Sequence, residues 1–115
     1  MPRNLPEAVI QRLLLARLND LVDEHGNRLC RVRRANTGVA QLGGRGVRFG
    51  EPGQADITGL LRGGRRLEVE VKVPGGRQSA DQLAFQQEIE SFGGLYILAF
   101  DVETPLQVVR QAVRS

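Results

Sequence analysis

Three side chains in the middle of the chain, Asp56, Glu70 and Lys72, have the types and the spacing to do chemistry together. The segment LEVEVKV, residues 67–73, alternates strictly. Leu67, Val69, Val71 and Val73 face one way, and Glu68, Glu70 and Lys72 face the other. Residues two apart on a strand lie about 6.6 Å apart on one face, so the backbone itself sets Glu70 beside Lys72. A solvated strand face bearing a cross-sign pair would show the same pattern, and Glu68, one step further along, is expected to be exposed. The preceding strand, ADITGLL, opens on Asp56. With a two-residue Gly63-Gly64 turn, Asp56 would stand opposite Val71, on the apolar side. With a three-residue loop of Gly63, Gly64 and Arg65, Asp56 faces Lys72, Thr58 faces Glu70, Leu60 faces Glu68, Ile57 meets Val71 and Leu61 meets Leu67. The second register collects the apolar pairs on one face and is the one expected. It brings two carboxylates and an ammonium to one patch. That set suits a hard cation with oxygen ligands: Mg²⁺, with Mn²⁺ as a substitute, held by Asp56, Glu70 and the backbone carbonyl of Val71. Lys72 would orient a water or offset charge on a phosphate, which is the layout of metal-assisted phosphodiester hydrolysis.

Composition agrees with such chemistry without demanding it. The chain has 115 residues, enough for one domain, and its net charge of +3 is a modest sign of a polyanionic partner. Of its 16 basic residues, Lys72 is the only lysine. Arginine-rich coding bias explains the arginines; a site that needs a compact ammonium is one reason for the lysine, and chance is another. Arg31, Arg33, Arg34, Arg45, Arg48 and Arg77 are candidate phosphate contacts, against the alternative of a solvated arginine surface. Arg45 and Arg48 in a glycine-rich stretch and Arg77 beside the site are preferred, with Arg33 next. No apolar run approaches the length of a membrane helix, the N-terminus lacks the order of a secretory signal, and the single Cys30 reads as a small core residue. These features predict a cytoplasmic protein with no membrane partner.

The elements that must position these residues follow from periodicity. Residues 5–24 predict a helix capped by Asn4, with Pro6 in its first turn, Ile10, Leu13, Leu14, Leu18 and Leu21 on one face, and Gly26 as its stop. Residues 28–34 predict a strand with Arg31 and Arg33 on one side. Residues 35–53 hold six glycines and read as a long loop with one short extended piece at 46–49. Strands at 55–62 and 66–73 follow, then a helix from Ser79 to about Phe92 ended by Gly93 and Gly94, a doubly buried strand at 95–100, and a short final helix starting at Thr104 and Pro105. The expected order is α-β-β-β-α-β-α, an α/β fold whose mixed β-sheet contains a right-handed parallel crossover over 66–100.

The stretch from Val47 to Gly94 resembles the VRR-NUC domain of the PD-(D/E)xK nuclease superfamily, in particular its stand-alone, phage-type members. The pieces that carry the resemblance are PGQAD at 52–56, EVK at 70–72 and SADQ at 79–82. It implies a restriction-endonuclease-like core in a single domain spanning 1–115, with Asp56 and Glu70 as metal ligands and Lys72 as the catalytic lysine. It further implies that Glu7 supports the metal through water and that Gln82 is a helix glutamine near the site. Both have ordinary roles as well: Glu7 opposes the dipole of the first helix, and Gln82 can close a capping box with Ser79. The family motif has Pro before the aspartate, whereas this chain has Ala55, with Pro52 displaced upstream. The resemblance also implies a homodimer that acts on branched DNA such as four-way (Holliday) junctions, in phage or prophage replication, repair and recombination. The competing expectation is a nucleic-acid-binding module that keeps the fold without cleaving.

Overall fold

A computed structural model of the chain describes residues 5–35 and 38–114, with 38–41 and 47–49 described in their backbone only. Helix α1 (Glu7–Asn19) is followed by β1 (Cys30–Arg34), a hairpin of β2 (Gly38–Leu42) and β3 (Arg45–Phe49), then β4 (Ile57–Leu61), β5 (Arg66–Val71), α2 (Ala80–Ser91), β6 (Leu95–Ala99) and α3 (Glu103–Arg114). Four strands form one mixed sheet in the order β1-β4-β5-β6. β1 pairs antiparallel with β4 and β4 antiparallel with β5, and β6 returns parallel to β5 after the α2 crossover. The α/β class, the three helices and the parallel crossover expected from periodicity are therefore present.

The sheet separates two layers. Ile10, Leu14 and Leu18 of α1 and Leu106 and Val109 of α3 pack on Val32, Ile57, Leu61, Leu67, Val69, Val71, Ile97 and Ala99. Each fully buried aliphatic side chain contributes about 1.5–3 kcal/mol by leaving water. On the opposite face, Phe85 and Ile89 of α2 pack on Tyr96 and Ala55. Cys30 is buried in the larger cluster, where its thiol donates to the Leu18 carbonyl. β1 is an edge strand. Asn19, at the end of α1, accepts from the Val32 N–H and donates to the Val32 carbonyl, which satisfies part of that open edge.

Several expectations need correction. α1 ends at Asn19, five residues short of the predicted end, because the chain turns at Asp23, whose carboxylate accepts from the N–H groups of His25 and Asn27. Gly26, at φ 81°, serves that turn and not the helix end. Pro6 takes the cap position of α1 without a side-chain hydrogen bond, and Asn4 lies outside the described residues. Leu13 is exposed, so the buried stripe is narrower than predicted. The stretch 35–53 is not a long loop: Gly43 and Gly44, both at positive φ, form the two-residue turn of the β2–β3 hairpin. α2 keeps its predicted start and end. Ser79 and Gln82 form the capping box, and beyond the helix the Gly94 N–H donates to the Ile89 carbonyl.

Candidate active site

The β4–β5 hairpin decides whether the three residues meet. Its turn is Arg62-Gly63-Gly64, closed by the Leu61 N–H on the Arg65 carbonyl at 2.8 Å, with both glycines at positive φ. Thr58 therefore pairs with Glu68, Ile57 with Val69 and Leu60 with Arg66, two residues away from the expected register. A slip of two preserves side-chain parity, so Asp56 stays on the face of Glu70. It also improves the alignment, since this register continued by one residue sets Asp56 opposite Glu70, where Lys72 was expected. Regular pairing stops at Ile57. The next ladder position is filled by the Asp56 side chain, whose Oδ2 accepts from the Val71 N–H at 2.7 Å.

Glu70 is almost wholly buried, at 1% exposure. Its Oε1 accepts hydrogen bonds from the Tyr96 hydroxyl and from Gln78 Nε2, which is 3.2 Å away. Gln78 in turn donates to Gln86 of α2 at 2.8 Å. The other oxygen, Oε2, accepts no hydrogen bond among the described residues and lies 3.7 Å from Lys72 Nζ. Lys72 follows β5, and its N–H donates to the Ala99 carbonyl, so the lysine is anchored to β6 at its backbone. Gly76 lies beside its stem, where a Cβ would meet the Lys72 side chain at ordinary contact distance and crowd only the Val73 carbonyl.

Asp56 titrates above the ordinary carboxylate range. Burial is the main cause, and the charges of Glu70 and Glu7 add to it; the Val71 N–H and Lys72 oppose it. Glu7, on the first turn of α1, is near enough for its charge to act on Asp56. Burial, and then its bond to Glu70, drives the Tyr96 hydroxyl upward, so it stays a donor at neutral pH.

These residues fit a divalent cation. Glu70 Oε2 is a buried acceptor without a donor among the described residues, an arrangement that costs free energy unless a cation or ordered water meets it. Lys72 N–H points to β6 while the Val71 N–H points to Asp56. The N–H and C=O of one strand residue leave by the same edge, so the Val71 carbonyl is directed to the Asp56 side. Among the described residues no group of three or more His, Cys, Asp or Glu could hold a metal on its own. Two carboxylates and a carbonyl suit an ion that retains several waters, which is the habit of Mg²⁺.

The remaining candidates divide. Gln82 is engaged in the capping box, its side chain accepting from the Ser79 N–H at 2.8 Å. Gln78 and Gln86 are the glutamines joined to the site, a role that sequence reasoning missed. Arg77 is exposed in the connection from Lys72 to α2. Arg33 is exposed on the sheet face that carries Glu68 and Glu70. Arg45 is exposed beside the β2–β3 turn, and the Arg48 side chain lies outside the described residues. Glu68, expected to be exposed, is 0% exposed; its carboxylate meets the Thr58 hydroxyl and the Arg66 guanidinium. Tyr96 was also missed. Its signal was a lone hydroxyl in the apolar run LYILAF, but only the parallel pairing of β5 with β6 delivers it to Glu70.

The two motifs flanking the site touch. Gly53 of PGQAD, at φ 75°, lies so close to α2 that a Cβ would run into the Asp81 carbonyl. Ala55 is buried under Phe85 and Ile89. The loop leading to Asp56 is thereby seated on the first turn of α2. Comparisons of the chain with family models, with curated proteins and with solved structures found no match.

Proposed function

We propose that this chain is a Mg²⁺-dependent endodeoxyribonuclease with a restriction-endonuclease-like core, a stand-alone member of the VRR-NUC type. The observation that carries the reading is the convergence of Asp56, Glu70 and Lys72 on one sheet face, with the unpartnered Glu70 Oε2 turned to Lys72. Asp56, Glu70 and the Val71 carbonyl hold the cation, and Glu7 supports it through water. When bound, Mg²⁺ supplies an acidified water and a counter-charge for the phosphate. Lys72 donates toward the attacked phosphate or the water beside it. Tyr96 and Gln78 fix Glu70 by occupying Oε1, so that Oε2 alone is offered. Arg33, Arg45, Arg48 and Arg77 contact phosphates. The substrate is branched DNA, a four-way junction foremost, cut in phage or prophage DNA metabolism in the cytoplasm. Paired cuts across a junction require a homodimer. No helix among the described residues is long and apolar enough to cross a membrane.

The test incubates the protein with four-way junction, flap, nicked, linear duplex and single-stranded DNA, with Mg²⁺, with Mn²⁺ and with EDTA. Cleavage is expected with either metal and not with EDTA, and Lys72→Ala should lower it at least about 100-fold. Absence of cleavage with both metals, or equal cleavage by Lys72→Ala, refutes the reading.

A further inference from the structure

The sheet face bearing the candidate site continues into a groove of which the proposed function uses only Arg33. Pairing across β1, β4 and β5 arranges this face in rows. Asp56 and Glu70 form the active-site row. The next row is Arg33, Thr58 and Glu68, and the one beyond it is Arg31, Leu60 and Arg66. Successive rows lie about 6.6 Å apart, because each is two residues further along the strands. The outer two rows border an open groove of about 580 Å³ lined by Arg31, Arg33, Thr58, Leu60 and Arg66.

Beneath that groove lies Glu68. It is wholly buried, and its Oε2 accepts from the Thr58 hydroxyl and from Arg66 Nε, the latter at 3.1 Å. Arg66 is also held from the side, its guanidinium carbon 6.0 Å from the centre of the Phe85 ring. The side chain remains 48% exposed. A carboxylate on Nε and an aromatic face beside it fix the plane of the guanidinium and leave its terminal nitrogens for a ligand. A bidentate fork prepared this way suits phosphate oxygens.

The spread of charge selects the ligand. Arg31 and Arg66 are two strands apart, about 9–10 Å, with the exposed Leu60 between them. With Arg33 in the adjacent row they make three cations around an exposed leucine, more than one phosphate uses; a chain of phosphates with apolar sugar or base between them matches that spread. We infer that this groove is a second binding site, which holds the phosphodiester backbone of a nucleic-acid strand one to two rows beyond the Asp56–Glu70 row. Glu68 is its positioning residue, acting through Arg66. That the strand is the one being cut rests on the nuclease reading; that the groove binds a strand does not.

The experiment measures binding in EDTA, where no cleavage occurs, using fluorescein-labelled single-stranded and duplex oligodeoxynucleotides across a salt series. The variant Arg31→Gln/Arg33→Gln/Arg66→Gln is compared with Arg12→Gln/Arg110→Gln/Arg114→Gln, which removes the same charge from α1 and α3. The groove variant should bind at least about tenfold more weakly at ~0.1 M salt, and its log-log salt slope should be shallower by about 2 to 3, at roughly 0.7–0.9 per phosphate contact. Equal affinities and slopes for the two triple variants overturn the inference, as does failure of the wild type to bind. Glu68→Ala should weaken binding as much as Arg66→Gln, Glu68→Gln should restore most of it, and Glu68→Ala should add nothing to Arg66→Gln; additive losses refute the positioning role. As a check that does not depend on variants, the backbone amides of Arg31, Thr58 and Leu60 should shift when the oligonucleotide is added to wild-type protein. Cleavage with Mg²⁺ is scored separately. A protein that cuts but keeps its slope without the groove arginines loses only this inference; one that does not cut but shows the slope change loses only the nuclease reading.

Discussion

Glu70 has two oxygens with different surroundings, and most of the site's behaviour follows from that. Oε1 takes Tyr96 and Gln78, while Oε2 takes no donor among the described residues. Hydrogen bonds to a charged group are worth about 1.5–3 kcal/mol. Tyr96→Phe should therefore lower the cleavage rate about 10–100-fold with little change in KM, measured by steady-state kinetics on the best substrate. A larger effect on KM than on kcat would mean that Tyr96 meets DNA and not Glu70. Asp56 has the opposite tension. Its carboxyl titrates high because the fold disfavours its charge, mainly through burial. Asp56→Asn keeps an acceptor for the Val71 N–H and removes that charge. It should abolish cleavage and raise metal-free stability in urea unfolding at pH 7, because above both pKa values the folded state carries the disfavoured charge. Gln82 separates the two roles open to it. Loss of its capping box in Gln82→Ala should cost about 0.5–2 kcal/mol of stability and leave the rate per folded molecule unchanged. A rate loss without a stability loss would return Gln82 to the chemistry.

At the scale of elements, the β4–β5 hairpin shows how much a sequence pattern can say. Alternation put Asp56, Glu70 and Lys72 on one face, and that face is correct. Alternation is blind to a slip of two residues, because parity is unchanged. The turn chose between the two registers: Leu61 closes on Arg65, while the Arg65 side chain donates to the Gly93 carbonyl at 2.7 Å. The β2–β3 hairpin was legible through Gly43-Gly44 between two short runs, but the density of glycines around it concealed the signal. Gly53 is where elements meet. Its positive φ and its contact with the Asp81 backbone leave no space for a side chain. Gly53→Ala should destabilise the fold by at least about 1–3 kcal/mol and reduce cleavage more than Gly63→Ala, which meets open space and has only its φ to strain. Equal effects of the two substitutions in thermal unfolding and cleavage would mean that the PGQAD loop does not depend on α2.

The whole molecule is a sheet between two helical layers, and its larger core lies under α1 and α3. Cys30 reports on that core. Burial holds its thiol protonated, moving it from 9.0 to about 11. In that interval the unfolded chain releases the thiol proton and the folded chain does not. The stability that Cys30 contributes is thus complete below about pH 9 and falls as pH rises toward 11, by about 2–3 kcal/mol. Urea midpoints from pH 8 to 11 should decline, and Cys30→Ala should flatten part of that decline; an identical slope in the variant would show that the thiol titrates normally. Local periodicity was enough to locate the three helices, the apolar strand faces and the residues that share a face with Glu70, because those properties depend on neighbours a few positions away. It could not reveal that Glu68 is buried, that Tyr96 and Gln78 hold Glu70, or that Arg31, Arg33 and Arg66 line one groove. Those facts depend on strand order, on register and on the placement of α2, which join residues up to dozens of positions apart. The three residues that suggested chemistry were chosen by local pattern, and their surroundings were decided by long-range pairing.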